Sequence, residues 1–476
     1  MLVGRRCTVY AGAALIATLA LGPGRASAGV AGQWNLITDT GISNISEVGL
    51  ARTPDGTLHA AWSVQQGDDS EELVTAPVTP SGAGAGTAVV SAWASIDNPA
   101  LGLAPGGGLQ AFFGGIHTLA STDPHADENL ATSTDGGLSW SLTAADVVAP
   151  GAAAYASQVA VSNSFAAQTS PFETWTGTSG VWVHAGTGSG TANADYQTAL
   201  GGCCGYYANL AADATGNTEL AWYSNASGRG GIWAQAVSSS GAASGSPQQM
   251  PKTASLGVGE LQRTPIVARP QGGFYVAYPI GYPSFTGVEL WKVGGSALKI
   301  AGAHVPAVAG DAVDQDGRVW VFWSSNIGHQ PQLFATRSNP SVTRLGAIVA
   351  IGSPAHTTGV FSIDGNASKD GLDLFTTESM SGGTANASIW ARHVDPGLSV
   401  TLAPSAAKLD HAAKVTVDVN DAGVPVRNAT VKLGGHTVKT NAAGRARIEL
   451  TASGALTAVA SHSGYVKGSA RLRVKR

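Results

Sequence analysis

A chain of 476 residues, 43% hydrophobic and only 12% charged, can bury a large core, and its 63 glycines suit many short strands joined by tight turns better than helices. The formal net charge of −4 hides a split: residues 29–396 hold 12 Lys and Arg against 27 Asp and Glu, whereas residues 397–476 hold 12 against 4. An acidic body argues against nucleic acid as its main partner, and no stretch beyond the first 28 residues is apolar enough to span a bilayer.

Residues 1–28 carry Arg5-Arg6, an apolar run from Val9 to Leu21 and then Ala26-Ser27-Ala28. This is the layout of a secretory signal peptide with an Ala-x-Ala cleavage site, so the mature protein is expected to be secreted, extracellular, soluble and monomeric. Cys7 leaves with the leader, and Cys203 and Cys204 remain as chain neighbours. In an oxidising compartment they either form a vicinal disulfide or stay as two buried thiols.

From Arg52 the chain reads Thr53-Pro54-Asp55-Gly56-Thr57-Leu58-His59-Ala60-Ala61-Trp62, a tight turn followed by an alternating strand that ends in a large aromatic. The phrase returns at Gly107, Gly216, Gly272, Gly317 and Gly371, and more weakly at Pro171, at intervals of 45 to 64 residues. A second recurring strand follows each turn: Ile232-Trp233-Ala234, Leu290-Trp291-Lys292 and Ile389-Trp390-Ala391 are examples. In the first repeat the strands are expected at Val48 to Arg52, Leu58 to Val64, Glu72 to Thr79 and Thr87 to Trp93. Four-stranded units of this period predict an all-β chain and a β-propeller over residues 29–396, with seven blades, or six if the irregular third repeat is an insertion. Gln33 to Ile37 belongs to no unit of its own, while the last unit lacks a fourth strand. It is therefore expected to close the ring as the outer strand of the last blade.

After Pro396 strand and turn signals recur about every ten residues, which predicts a small β-sandwich over residues 397–476. Gly423-Val424-Pro425-Val426 with Ala429-Thr430-Val431, followed by Thr440-Asn441 and Gly444, resembles bacterial immunoglobulin-like and carboxypeptidase-regulatory-like modules. That resemblance implies a spacer or attachment role for an Ig-like domain.

Ser133-Thr134-Asp135-Gly136-Gly137-Leu138-Ser139-Trp140 fits the Asp-box pattern Ser-x-Asp-x-Gly-x-x-Trp. Asp135 is expected to take N–H groups of its own turn, with Trp140 packed between sheets, so Ser133, Asp135, Gly137 and Trp140 are structural. The match resembles sialidases and related BNR-repeat propellers. Sialidase chemistry needs three arginines around a carboxylate, a tyrosine nucleophile with a glutamate partner and an aspartate acid/base. The family's Arg-Ile-Pro signature is absent, and the eight arginines between Arg52 and Arg392 form no recognisable triad by spacing.

If the tight turns share one face, binding groups should lie on the other, in the loops between blades and those after each second strand. These supply Glu47, Asn98, Gln158, Cys203, Cys204, Tyr206, Tyr207, Asn209, Glu260, Arg263 and His304. Tyr206 and Tyr207 offer flat faces to a sugar ring or plug the channel. Glu47 and Glu260 are the carboxylates to test first as an acid/base pair, with His304 as a third candidate. Asp123, His125, Asp127 and Glu128 make an acidic loop that could hold calcium, although a solvated loop is the plainer reading, and no other cofactor or metal is expected. Asp314-x-Asp316 and Asp364-x-Asn366 read as Asx-turns. The expected function is carbohydrate binding, an extracellular glycan or cell-surface polymer held in the central funnel. The alternatives are a glycoside hydrolase or lyase acting on polysaccharide, and a non-catalytic scaffold or adhesin.

Overall fold

The structure is a computed structural model that describes residues 32–40, 47–103, 107–117, 127–144, 159–161, 172–177, 180–185, 194–197, 205–238, 242–256, 262–303, 306–327, 330–380 and 387–475. Within them every regular element is a β-strand, and no helix is long and apolar enough to cross a membrane. Residues 35–394 form seven antiparallel sheets among the described residues, each a meander of four or five strands. In the first, Gly49–Arg52, Leu58–Gln65, Glu71–Thr79 and Thr87–Trp93 stand within one residue of the expected bounds.

The innermost strands are Gly49–Arg52, Ser95–Leu103, Val159–Val161, Gly205–Ala212, Val267–Ala268, Pro306–Val313 and Thr357–Ser368. Each packs against the next, and Thr357–Ser368 packs back onto Gly49–Arg52, so the sheets close into a ring. Asn35–Asp39 pairs antiparallel with Ala387–Val394, making the last sheet from both ends of the ring's chain and covering an edge that would otherwise stand open.

Apolar side chains on facing sheets fill the space between them. Trp62, Val74 and Leu50 meet Phe375 and Ile389 across the closure, and Trp320 and Phe322 pack with Ile363 and Leu374. The turn Ser133 to Trp140 is held by its own side chains. Asp135 Oδ1 accepts from the N–H groups of Leu138 (3.1 Å) and Ser139 (2.9 Å), and Trp140 Nε1 donates to Thr75 Oγ1 of the first sheet at 3.0 Å. The hydroxyl of Ser139, then its N–H and the Ser133 hydroxyl, bring the Asp135 carboxyl down to about 2.

Residues 399–475 form two further sheets around their own core of Val415, Val417, Ile448, Val431, Leu433 and Leu472. This sandwich sits on the sixth sheet through a buried charge cluster. Asp421 accepts from Arg318 Nη1 at 2.8 Å and from Arg337, whose guanidinium lies 5.7 Å from the Trp320 ring and 5.8 Å from the Tyr465 ring.

Candidate functional site

The inner strands do not run straight. Their ladders slip between Asp97 and Ala100, between Tyr206 and Asn209, and between Pro306 and Ala309. Each slip is a bulge, which turns a backbone carbonyl out of the ladder. At Tyr207 the backbone enters the left-handed region, with φ 57°.

The carbonyls of Pro99 and Tyr207, inside two of these bulges, and of Ala309, just past the third, meet one segment, residues 262–266, which crosses the axis before the short strand Val267–Ala268. Gln262 Nε2 donates to Ala309 O at 2.6 Å, and its Oε1 accepts from Ile363 N at 3.1 Å. Arg263 donates to Glu47 from both its backbone N–H and Nε, and its Nη2 reaches Pro99 O at 3.3 Å. Thr264 N donates to Tyr207 O at 2.7 Å, and Thr264 O accepts from Asn209 Nδ2 at 3.1 Å. This strut ties its own sheet to five others, so the inter-blade end of the funnel, where ligand groups were expected, is crossed by protein.

Beyond the strut lies a cavity of about 170 Å³. Its lining runs along the inner strands from Asn209 and Gln262 to Arg52 and Asn366, next to the tight turns. Leu50, Leu101, Ile266 and Phe322 give it apolar walls; Asp311 and Asp364 are its acids. Asp364 Oδ2 accepts from Val48 N at 3.2 Å, and Asp311 Oδ2 from Ala277 N at 2.9 Å. At the turn end Arg52 Nε donates to Asn366 Oδ1 (2.9 Å) and Nη2 to Asp373 Oδ2 (2.7 Å), while Asp373 Oδ1 is 2.7 Å from His393 Nδ1.

Burial sets the protonation of these acids. It pushes Asp364 up to about 7, and the neighbouring Glu47 charge adds to the rise while Arg263 opposes it. Asp311 is raised well above the carboxylate range by burial, against the single N–H of Ala277. Burial lifts Glu47 as well, but Arg263 holds it by charge and by two hydrogen bonds. Arg263 therefore opposes the rise at Glu47, and burial favours the neutral form of Asp364.

Of the residues nominated from sequence, the structure brings Asn209 and Arg263 to the cavity and places Glu47 behind Arg263, fully buried. Tyr206 and Tyr207 are half-buried outside it, each stacked 6.4 Å from Tyr223, so neither plugs the axis. Glu260, His304, Gln158, Cys203 and Cys204 lie outside the described residues, as does the Asn98 side chain. Asp123 and His125 also lie outside them, whereas Asp127 and Glu128 begin the strand Asp127–Ser133 and do not belong to a loop. Among the described residues no group of three or more His, Cys, Asp and Glu is placed to hold a metal ion.

Asp314 makes the expected Asx-turn, accepting from the N–H groups of Asp316 and Arg318 at 3.0 Å each. Asp364 and Asn366 correct the corresponding expectation. They are strand residues that face the axis, because the inner strand runs two residues past the point where a turn was read. Asp311, Asp364, Gln262 and Arg52 were not singled out as ligand groups. The available signal was a carboxylate inside an apolar strand, as in Val308-Ala309-Gly310-Asp311-Ala312-Val313.

No protein-family model and no curated protein sequence matches the chain. Among solved structures, a protein of unknown function from Dyadobacter fermentans is similar at 12% identity and a TM-score of 0.43, over 76% of this chain and 99% of that one. An α-L-arabinofuranosidase from Lactobacillus brevis is similar at 11% identity and TM-score 0.33, over 73% and 89%. The Trypanosoma rangeli sialidase in complex with the inhibitor DANA is similar at 8% identity and TM-score 0.38, over 65% and 56%. Likeness at these scores decides no chemistry, which rests on the chain's own geometry.

Proposed function

We propose that this chain is an exported, seven-bladed β-propeller with a C-terminal immunoglobulin-like module, and that it binds one sugar residue of an extracellular glycan in its axial cavity without cleaving it. The observation that carries this reading is the cavity itself, about 170 Å³, with two carboxyls, three carboxamides and the side chains of Arg52 and Arg263 set among apolar walls. A cavity of about 150 Å³ holds a benzene-sized molecule, so this one matches a single six-membered ring. Donors and acceptors at its polar positions suit hydroxyl groups, and the apolar walls suit C–H faces.

Hydrolysis by two carboxylates needs one protonated and one ionised partner, both touching the substrate. Here Asp311 and Asp364 are both pushed towards the neutral form, and Glu47 is buried and held by Arg263 away from the cavity. That arrangement favours binding over turnover.

Titration calorimetry of the full chain against a panel of monosaccharides and short oligosaccharides, with a reducing-sugar assay on the same panel, tests the reading. Binding without sugar release is expected, and Asp364→Leu, checked by its melt for folding, should weaken binding at least about tenfold through the lost hydrogen bonds. Sugar release that Asp364→Asn abolishes would make the protein a hydrolase or lyase. Neither binding nor release would leave the scaffold reading.

A further inference from the structure

The C-terminal sandwich turns two differently charged faces to solvent. On the sheet containing Ala412–Asp421 and Arg445–Thr451, four of the five outward charges of this strand pair are matched across the ladder, Arg447 alone standing opposite a threonine. Lys414 stands opposite Glu449, and Asp418 opposite Arg445, with Arg445 Nε donating to Asp418 Oδ1 at 2.8 Å. This is the ordinary way for a solvated sheet to carry charge.

The other sheet breaks that rule. Ala407, Val431, Leu433, Ala458, Ala460 and Leu472 point into the core. The alternation therefore sends Lys408, Lys432, Lys439, Arg471, Arg473 and Lys475 outward, and all six are exposed. The other outward positions are alanine, serine, threonine and one valine, with no carboxylate among them. None of the six forms an ion pair with a described residue. Lys408 lies directly opposite Lys475 in a parallel ladder, a like-charge pairing that destabilises the sheet. Arg471, Arg473 and Lys475 recur every second residue, a row of cations about 7 Å apart along one strand.

We propose that this face binds a linear anionic polysaccharide laid along the strand Gly468–Lys475, at a site separate from the axial cavity. A row of cations answers a row of anions and not a single ion. Between the cations, Thr430, Thr437, Thr457 and Ser469 offer hydroxyls to a hydroxyl-rich chain. The face presents no aromatic ring on which a base could stack, and it is a flat sheet with no element to enter a duplex groove, so a nucleic acid fits it less well. Val459 is its only branched apolar side chain, too little to anchor it in a bilayer.

The full chain is titrated with polygalacturonate, neutral dextran, duplex DNA and vesicles rich in anionic lipid, at low and at physiological salt, with its oligomeric state followed by light scattering. Polygalacturonate is expected to bind, more weakly as salt rises, and to raise the melting temperature. The double variant Arg471→Ser/Arg473→Ser should lose about thirtyfold in affinity, the attraction two cations have for an anionic surface. Arg445→Ser/Arg447→Ser, on the balanced face, should stay within about twofold, as exposed charges remote from the ligand do. The proposal is overturned if both double variants lose affinity alike, if dextran binds as well, if DNA or vesicles bind more tightly, or if no polyanion binds. It is equally overturned if the parent self-associates and the Arg471/Arg473 variant is monomeric, because the occupant is then the acidic ring of a second copy.

Discussion

Arg263 decides what Glu47 can do. Its backbone N–H and its guanidinium both point at one carboxylate that has no exposed surface. Arg263→Ala leaves that charge buried and uncompensated, and the loss in denaturant melts should be about 3–5 kcal/mol. Glu47→Gln in the Arg263→Ala background should recover much of it, since no bare charge then remains. Asp364 offers a second test with a definite sign. Its folded value of about 7 stands above the ordinary 3.8, so the folded state holds its proton longer, and stability falls as pH rises from about 4 to about 7. Asp364→Asn removes that dependence while keeping an acceptor for Val48 N. The variant's advantage over the parent should therefore widen by about 2 kcal/mol between about pH 5.5 and pH 8, read from melts at both. At this scale only part of the site was legible. Asn209, Arg263 and Glu47 stand out as polar residues in turn-rich stretches, but Asp311 and Asp364 sit inside strands. Whether a strand carboxylate meets water or the axis is decided by sheets distant in sequence.

Elements were far more legible than residues. Alternation and Asp-Gly turns placed the strands of the first sheet to within a residue, because a two-residue period and a positive-φ turn are local properties. The strut and the three bulges beside it were not, because where a ladder slips is settled by partners elsewhere in the chain. Two glycines show how little room that arrangement leaves. A Cβ on Gly310 would stand 2.3 Å from the Phe322 ring, and one on Gly365 would stand 2.7 Å from the same ring. Gly310→Ala and Gly365→Ala should each cost about 1–3 kcal/mol. The double variant should cost less than their sum, since the ring is displaced once for both. Chemical denaturation of the three variants measures this, and strict additivity would show that Phe322 is not what couples them.

For the whole molecule, the charge split between residues 29–396 and 397–476 was visible in composition, as was the change of strand pattern after Pro396. What joins the units was not visible, because Asp421 finds Arg318 and Arg337 only in the folded chain. Asp421→Ala leaves two buried guanidiniums without their shared carboxylate, and calorimetry should then resolve two unfolding transitions where the parent is expected to give one. A single unshifted transition would show that the cluster does not couple the units. Only Asp395 to Leu398 separates the ring's last strand, Ala387–Val394, from Ser399–Ala403, and Gly397 bridges both Ala347 and Val466. So short a joint leaves little slack: on the two proposals above, a polymer would have to bridge one set span to engage both ends at once, and shorter fragments would gain nothing from the second contact.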